Sequence, residues 1–314
     1  MTPLLLLLLA TPEAEQGLRM LDAGRCNEAI VLLEKAIERA PRDPRHHYIL
    51  GRCRLVAGDA SGARTSLARA VELDASSAEH HLWLARAATM EGRRGNPMMW
   101  LLLVRTISSS LERAVELAPD DLDARLDLVR YLTRAPRVLG GDVARARREA
   151  EEIHKRSRGL GLFASGYIDY REKLADSAER RWLEAIRVAP DLKEPYYWLG
   201  YLYQERRRYD EAFALHERLL ARDSAEAEAC YEIGRTAVYS SRNLDRGIEC
   251  LAIYIRGRKR YDGPTAAEAH YFLGEALIRQ GKTREAKREL ERALLLDVDL
   301  ARAKAAMKRL AETP

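Results

Sequence analysis

The feature that most constrains this chain is a spacing. A small residue stands inside an apolar stretch at Gly17, Gly51, Ala85, Gly166, Gly200, Gly234 and Gly274. In the regular stretches a second small residue follows at Ala29, Ala63, Ala178, Ala212 and Ala286, and a third small or apolar one at Ala36, Ala70, Ala185, Leu219 and Ala293. Pro41 and Pro190 then close their units. Self-similarity at a period of about 34 residues marks stacked helix–turn–helix units. One such unit cannot bury its apolar face alone, so each completes its core on its neighbours. The spacing predicts an all-α fold, a right-handed α-solenoid of about eight units with a C-terminal capping helix. Such an array offers an extended surface for binding rather than a pocket built for chemistry.

Each position has a physical reason. Gly or Ala inside the first helix lets the two helices of a unit approach closely, and the alanines of the second helix fill the tight crossings. Proline cannot continue a helix and so ends the unit. The fullest example is Tyr196-Tyr197-Trp198-Leu199-Gly200-Tyr201-Leu202-Tyr203, followed by Ala212. It resembles the tetratricopeptide repeat, whose pattern asks for W-x2-L-G-x2-Y and then Ala, Phe, Ala and Pro. On that resemblance the units fall near 13–43, 44–77, 78–121, 122–158, 159–192, 193–226, 227–266 and 267–298, with a capping helix at 299–312. Departures occur. His47, His81, Arg125, Leu162, Tyr196, Cys230 and His270 replace the leading Trp, Gly247 stands one residue late for a central Ala, and the third and fourth units carry insertions. Residues 81–153, with the run Ala135-Pro136-Arg137-Val138-Leu139-Gly140-Gly141-Asp142, are similar to a bacterial, often exported subgroup with an AP-x-x-GG type of loop.

A length of 314 residues with 47% hydrophobic and 32% charged side chains suits many small helical units with much exposed surface. The net charge of +5 comes mostly from Arg scattered among Asp and Glu along the helices, which reads as solvated faces. The dense run Arg256-Gly257-Arg258-Lys259-Arg260 reads as a solvated connector. Cys26, Cys53, Cys230 and Cys250 form no C-x-x-C motif and read as buried thiols, although Cys230 and Cys250 fall on the two helices of one unit and can face each other. Residues 1–12 form a leader-like segment, with Leu4 to Leu9 followed by Ala10-Thr11-Pro12. Read as a signal peptide it places the chain in the periplasm or outside the cell. Read as a greasy capping helix it leaves the chain in the cytoplasm. No stretch reaches the roughly 20 apolar residues of a membrane-spanning helix.

The third unit is interrupted after Gly92-Arg93-Arg94-Gly95. Its second helix is expected to start with Asn96 as N-cap and Pro97 at the first position, and to run to Leu117, roughly 30 Å. Its first turns, Met98 to Val104, would project as an apolar docking patch led by Met98, Met99, Trp100 and Leu103, or fold back on a neighbour. In the fourth unit Pro136 stops a helix, Gly140-Gly141 turns the chain and Asp142 caps the next helix, making either a rigid connector or a ligand-contacting rim.

No catalytic constellation is visible, so the chain reads as a non-enzyme without a cofactor. Gly281-Lys282-Thr283 lacks the preceding Gly and strand of a phosphate loop. His46-His47 and His80-His81 occupy matching places on adjacent units and read as packing rather than a metal site. The resemblance implies a groove lined by the first helices. It is expected to present Tyr48, Phe163, Tyr197, Tyr231 and Tyr271 at one phase and Arg52, Arg86, Arg130, Tyr167, Tyr201 and Arg235 at the next. Tyr and Arg are residues that interfaces favour, and Arg grips carboxylates with two prongs. The expected partner is an extended peptide or protein segment, of acidic character, held by a scaffold or adaptor. A non-catalytic subunit docking through residues 98–104, or a nucleic-acid binder, are the alternatives. No small-molecule substrate is implied.

Overall fold

The computed structural model describes residues 12–95, 97–224, 226–257 and 261–312. The leader-like run up to Leu9, the N-cap Asn96 and the basic residues Arg258, Lys259 and Arg260 lie outside the described residues. Among the described residues the secondary structure is helical throughout, with no strand. The fold is all-α, repeated helical hairpins of the α-solenoid class. The chain forms two compact units, Met1–Ala150 and Glu151–Pro314.

In the first unit the hairpins are α1 (Pro12–Asp22) with α2 (Cys26–Arg39), α3 (Pro44–Val56) with α4 (Ala60–Leu73), and α5 (Ala78–Arg94) with α6 (Pro97–Leu117). They are followed by α7 (Leu122–Arg134) and the helix α8 (Val143–Arg156), inside which the division falls. Local chemistry sets the starts. Asp43, Ser77 and Asp121 each accept a hydrogen bond from a backbone N–H of the first turn, and Pro44 sits where its missing N–H costs nothing. The hairpin turns use Gly24 and Gly58 at φ 75° and 93°. Inside each hairpin the glycine of the first helix meets a side chain of the second. A methyl group added at Gly51 would lie 2.5 Å from Leu67. Ala29, Ala63 and Ala70 are fully buried at the crossings.

The α5–α6 hairpin differs from the sequence expectation. α6 runs over Pro97–Leu117 as expected, but α5 is also extended, to Arg94, so the added turns are paired. Gly92 gives Trp100 its seat, since a methyl group there would stand 2.8 Å from the indole. Between α7 and α8 the chain makes one 3-10 turn at Arg137–Leu139, Gly140 adopts φ 87°, and Tyr131 donates its hydroxyl to the Leu139 carbonyl. Any side chain at Gly141 would collide with the Ala135 carbonyl, 1.8 Å away. Asp142 then accepts from the Arg145 N–H at 2.9 Å and caps α8.

In the second unit α9 (Arg158–Arg171) pairs with α10 (Ala175–Val188), α11 (Glu194–Glu205) with α12 (Tyr209–Arg222), α13 (Ala227–Ser240) with α14 (Leu244–Arg256), and α15 (Ala266–Arg279) with α16 (Thr283–Leu296). A last helix, α17 (Ala301–Glu312), buries Ala303 and Ala306 and ties back through Arg302 to Glu268 and Arg309 to Glu275. Here the crossings pair Gly166 with Trp182, Gly200 with His216, Gly234 with Leu251 and Gly274 with Leu290. Gly247 packs on Ala237 and Gly234.

Four of the residues that replace the leading Trp share one job. Nε2 of His47 and of His81 reaches the carbonyls of Pro41 and Ala75 at 3.0 and 3.1 Å, so that nitrogen carries the proton. Arg125 donates to the Pro119 carbonyl at 2.7 Å and Tyr196 to that of Pro190 at 3.1 Å. Each clamps the loop six residues earlier, so any donor of sufficient reach serves there.

Candidate functional site

In the first unit the first helices carry a ladder of paired charges. Tyr48 on α3 donates to Glu79 at the start of α5 and accepts from Arg52 at 2.9 Å. Burial, then the Glu79 carboxylate, pushes the Tyr48 hydroxyl well above the usual phenol range. The Arg52 guanidinium lies 4.5 Å from the Trp83 ring centre and that of Arg86 5.1 Å from it. Arg86 donates to Asp127 at 2.7 Å and to Asp123 at 3.3 Å, and Arg130 to Asp127 at 3.0 Å. These arginines therefore grip carboxylates of their own chain, and a docking carboxylate must compete with Glu79, Asp123 and Asp127.

The second unit is aromatic instead. Tyr170 on α9, with Trp198 and Tyr201 on α11, form a group with ring centres 5.7 to 6.3 Å apart and edges against faces. Tyr170 donates to Glu205 at 2.8 Å. Tyr201 is 39% exposed, and the Arg235 guanidinium lies 5.5 Å from its ring centre. Arg235 donates to Gln204 at 3.0 Å and pairs with Glu232 at 2.8 Å. Burial lifts the Glu232 carboxyl above its ordinary range, against the pull of Arg235. Farther along, Tyr239 is 51% exposed with its edge against Phe272, and half-buried Tyr271 has Arg302 5.2 Å from its ring centre.

The expected site residues therefore divide. Tyr201 is open to solvent, and Arg52, Arg86, Arg130, Arg235, Tyr197 and Tyr271 are partly so. Tyr197 stacks on His216. Phe163, Tyr167 and Tyr231 are core residues, not groove anchors, at 0%, 2% and 3% exposed. The Phe163 carbonyl accepts the Trp182 indole N–H, Tyr167 sets its ring edge-to-face with Trp198, and Tyr231 packs on Tyr254 and Phe272. Tyr48 is likewise buried, at 8%. Tyr48, Tyr167 and Tyr231 meet residues on the first helix of the next hairpin, Glu79, Trp198 and Phe272. Tyr170, Trp198 and Tyr239 escaped the sequence reading, which followed two positions per helix. The position about one turn farther along holds Tyr170 and borders that of Tyr239.

The apolar extension needs a similar correction. Leu103 is buried, as are Ile107 and Leu111 farther along α6, and Met99 and Trp100 are half-buried. The open residues are Met98, Leu101 and Leu102, at 62%, 49% and 67% exposed. A cleft of about 530 Å³ runs between α2, α3 and α4, bordered by Arg54, Arg64 and Arg69. These are engaged with Glu34, Glu91 and Glu72 at 2.8, 2.6 and 2.8 Å. Among the described residues no three His, Cys, Asp or Glu side chains converge as metal ligands.

Residues 15–78 and 267–300 match family models described as Tetratricopeptide repeat. No curated protein is similar to the chain in sequence. Among solved structures it is similar to a monomeric mutant of IFIT1 with Gppp-AAAA, at 15% identity over 94% of this chain and 70% of that one, TM-score 0.59. It is also similar to a thermophilic TPR protein of Thermus thermophilus, at 18% identity over 60% of this chain and 96% of that one, TM-score 0.48. A tetratricopeptide repeat protein of Parabacteroides merdae matches at 14% identity over 89% and 98%, TM-score 0.48. At these identities the likeness to IFIT1 concerns the fold.

Proposed function

We propose that this chain is a non-catalytic scaffold or adaptor that holds an extended peptide or protein segment against the first-helix face of its second unit. Tetratricopeptide repeats lie at both ends of the chain, and proteins of this fold mediate protein–protein interactions. The observation that carries the reading is the exposed and half-exposed aromatic row Tyr170, Trp198, Tyr201, Tyr239 and Tyr271 on α9, α11, α13 and α15. Rigid amphipathic rings give large contact area at small entropic cost and dominate binding energy at interfaces. The sequence reading of an acidic partner gripped by Arg52, Arg86, Arg130 and Arg235 requires that partner to displace carboxylates already bound, so the aromatic groups carry this proposal instead. The test is capture on an arrayed peptide library by the full chain. Tyr201→Ala with Tyr239→Ala should weaken every captured peptide at least tenfold with helicity kept. Unchanged capture would place the binding face elsewhere.

A second reading, docking as a non-catalytic subunit, draws on the exposure of Met98, Leu101 and Leu102. Leu102→Asp should then abolish co-purification with the rest of an assembly. Nucleic-acid binding is the weaker alternative, because the basic side chains of both units stand among carboxylates. Export through the leader-like segment is checked by sequencing the N-terminus of the mature chain. No helix among the described residues is long and apolar enough to cross a membrane.

A further inference from the structure

The chain has four cysteines, and the fold brings them into two pairs. Cys26, the first residue of α2, and Cys53 on α3 share a thiol–thiol hydrogen bond and are 5% and 0% exposed. Cys230 on α13 and Cys250 on α14 share another and are 3% and 0% exposed. The partners are 27 and 20 residues apart in the chain, so each contact is tertiary. One joins consecutive hairpins and the other joins the two helices of a single hairpin. Burial as small apolar side chains explains why each thiol is inside. It does not explain why every cysteine of the chain has another for a neighbour. Sulfurs already in hydrogen-bond contact need a short approach and a side-chain rotation to reach the bonding distance of about 2 Å.

The two thiols of each pair are also unequal. Cys26 stands at the first position of α2, beside the turn at Gly24. Burial pushes the Cys53 thiol up to about 12. The Cys250 hydrogen bond holds Cys230 below the ordinary thiol range, with Arg246 adding to the effect, and the same bond together with burial raises Cys250. In each pair one thiol, Cys53 or Cys250, is held protonated, which leaves its partner as the first to attack in thiol–disulfide exchange.

We propose that Cys26–Cys53 and Cys230–Cys250 are two dithiol–disulfide sites, oxidised by small-molecule disulfides of the glutathione class. The Cys26 or Cys230 thiolate attacks one sulfur of the small disulfide, breaks its S–S bond and releases one small thiol. The Cys53 or Cys250 thiol then loses its proton and attacks the protein sulfur of the mixed disulfide, releasing the second small thiol. Two protein thiols lose two electrons and two protons, and the small disulfide gains them as two thiols. The first bridge fastens the α1–α2 hairpin to its neighbour. Among the described residues the α1–α2 hairpin packs on one neighbouring hairpin only, so this is where a crosslink most changes opening.

The test exposes the folded full-length chain to oxidised glutathione, then unfolds it, alkylates free thiols and maps the peptides by mass. The expected result is a loss of two hydrogen masses per bridge, with the peptide of Cys26 joined to that of Cys53 and the peptide of Cys230 to that of Cys250. Hydrogen exchange in α1 and α2 should slow at least tenfold on oxidation. Cys53→Ala should leave a glutathione adduct on Cys26 that the wild type does not accumulate. Four alkylated cysteines after treatment, or bridges that cross between the pairs, would overturn the proposal.

Discussion

His216 gives the sharpest test of how this core is built. It is fully buried on α12 against Gly200, and its ring fills the place that Leu33, Leu67, Trp182, Leu251 and Leu290 fill against the matching glycines. Neither ring nitrogen has a side-chain partner. Burial first, then the charge of Arg235, depresses the imidazole from 6.5 to about 3. Between those values the unfolded chain binds a proton that the folded chain refuses. Stability is therefore full above about pH 6.5 and is lost progressively as the pH falls toward 3. At about pH 5 the loss is about 2 kcal/mol, from about 1.4 kcal/mol per decade of proton concentration, or about 30-fold in the opening equilibrium. Repeat arrays open locally, so the measurement is amide hydrogen exchange in α11 and α12, corrected for intrinsic rates, at about pH 7 and about pH 5. The wild type should lose about 30-fold in protection, and His216→Leu should keep most of it. Burial also lowers His81, but it lies in the first unit, so helix-resolved exchange separates the two. Equal losses in wild type and His216→Leu would refute the reasoning.

Other consequences follow from the same geometry. Gly51→Ala puts a methyl group 2.5 Å from Leu67 and 3.1 Å from the Ala63 carbonyl oxygen, and should cost about 1–3 kcal/mol by urea titration. Arg207 holds the hairpin turn at φ 56°, where other hairpins place Gly24, Gly58 and Gly281, so Arg207→Gly should raise stability by about 0.5–1 kcal/mol in the same titration. Asp127→Asn removes the charge that Arg86 and Arg130 share, and should speed hydrogen exchange in α5 and α7 with a cost of about 1–2 kcal/mol.

What the sequence made legible was the part governed by close packing. A Gly at a helix crossing has a reason that survives any choice of partner side chain, so the hairpins could be placed from Gly17, Gly51, Gly166, Gly200, Gly234 and Gly274 alone. The extended α5 was missed because Gly92 reads as a breaker, whereas in the fold it makes room for Trp100. The candidate face was legible only in part, because position within a repeat fixes direction but not coverage. Tyr201 and Tyr231 were assigned to the same lining, yet Tyr201 is open while Tyr231 lies under Phe272 of the next hairpin. The arginine row shows the same limit in electrostatic form. Arg86 looks free when read one helix at a time, and only stacking brings it to Asp127, which already pairs with Arg130 three residues on in α7. Such a ladder ties one hairpin to the next and leaves little unbalanced charge to advertise a partner's sign. On the function proposed above, a bound segment is therefore to be sought where aromatic surface stays open beyond its internal contacts, at the outward edges of Tyr201 and Tyr239.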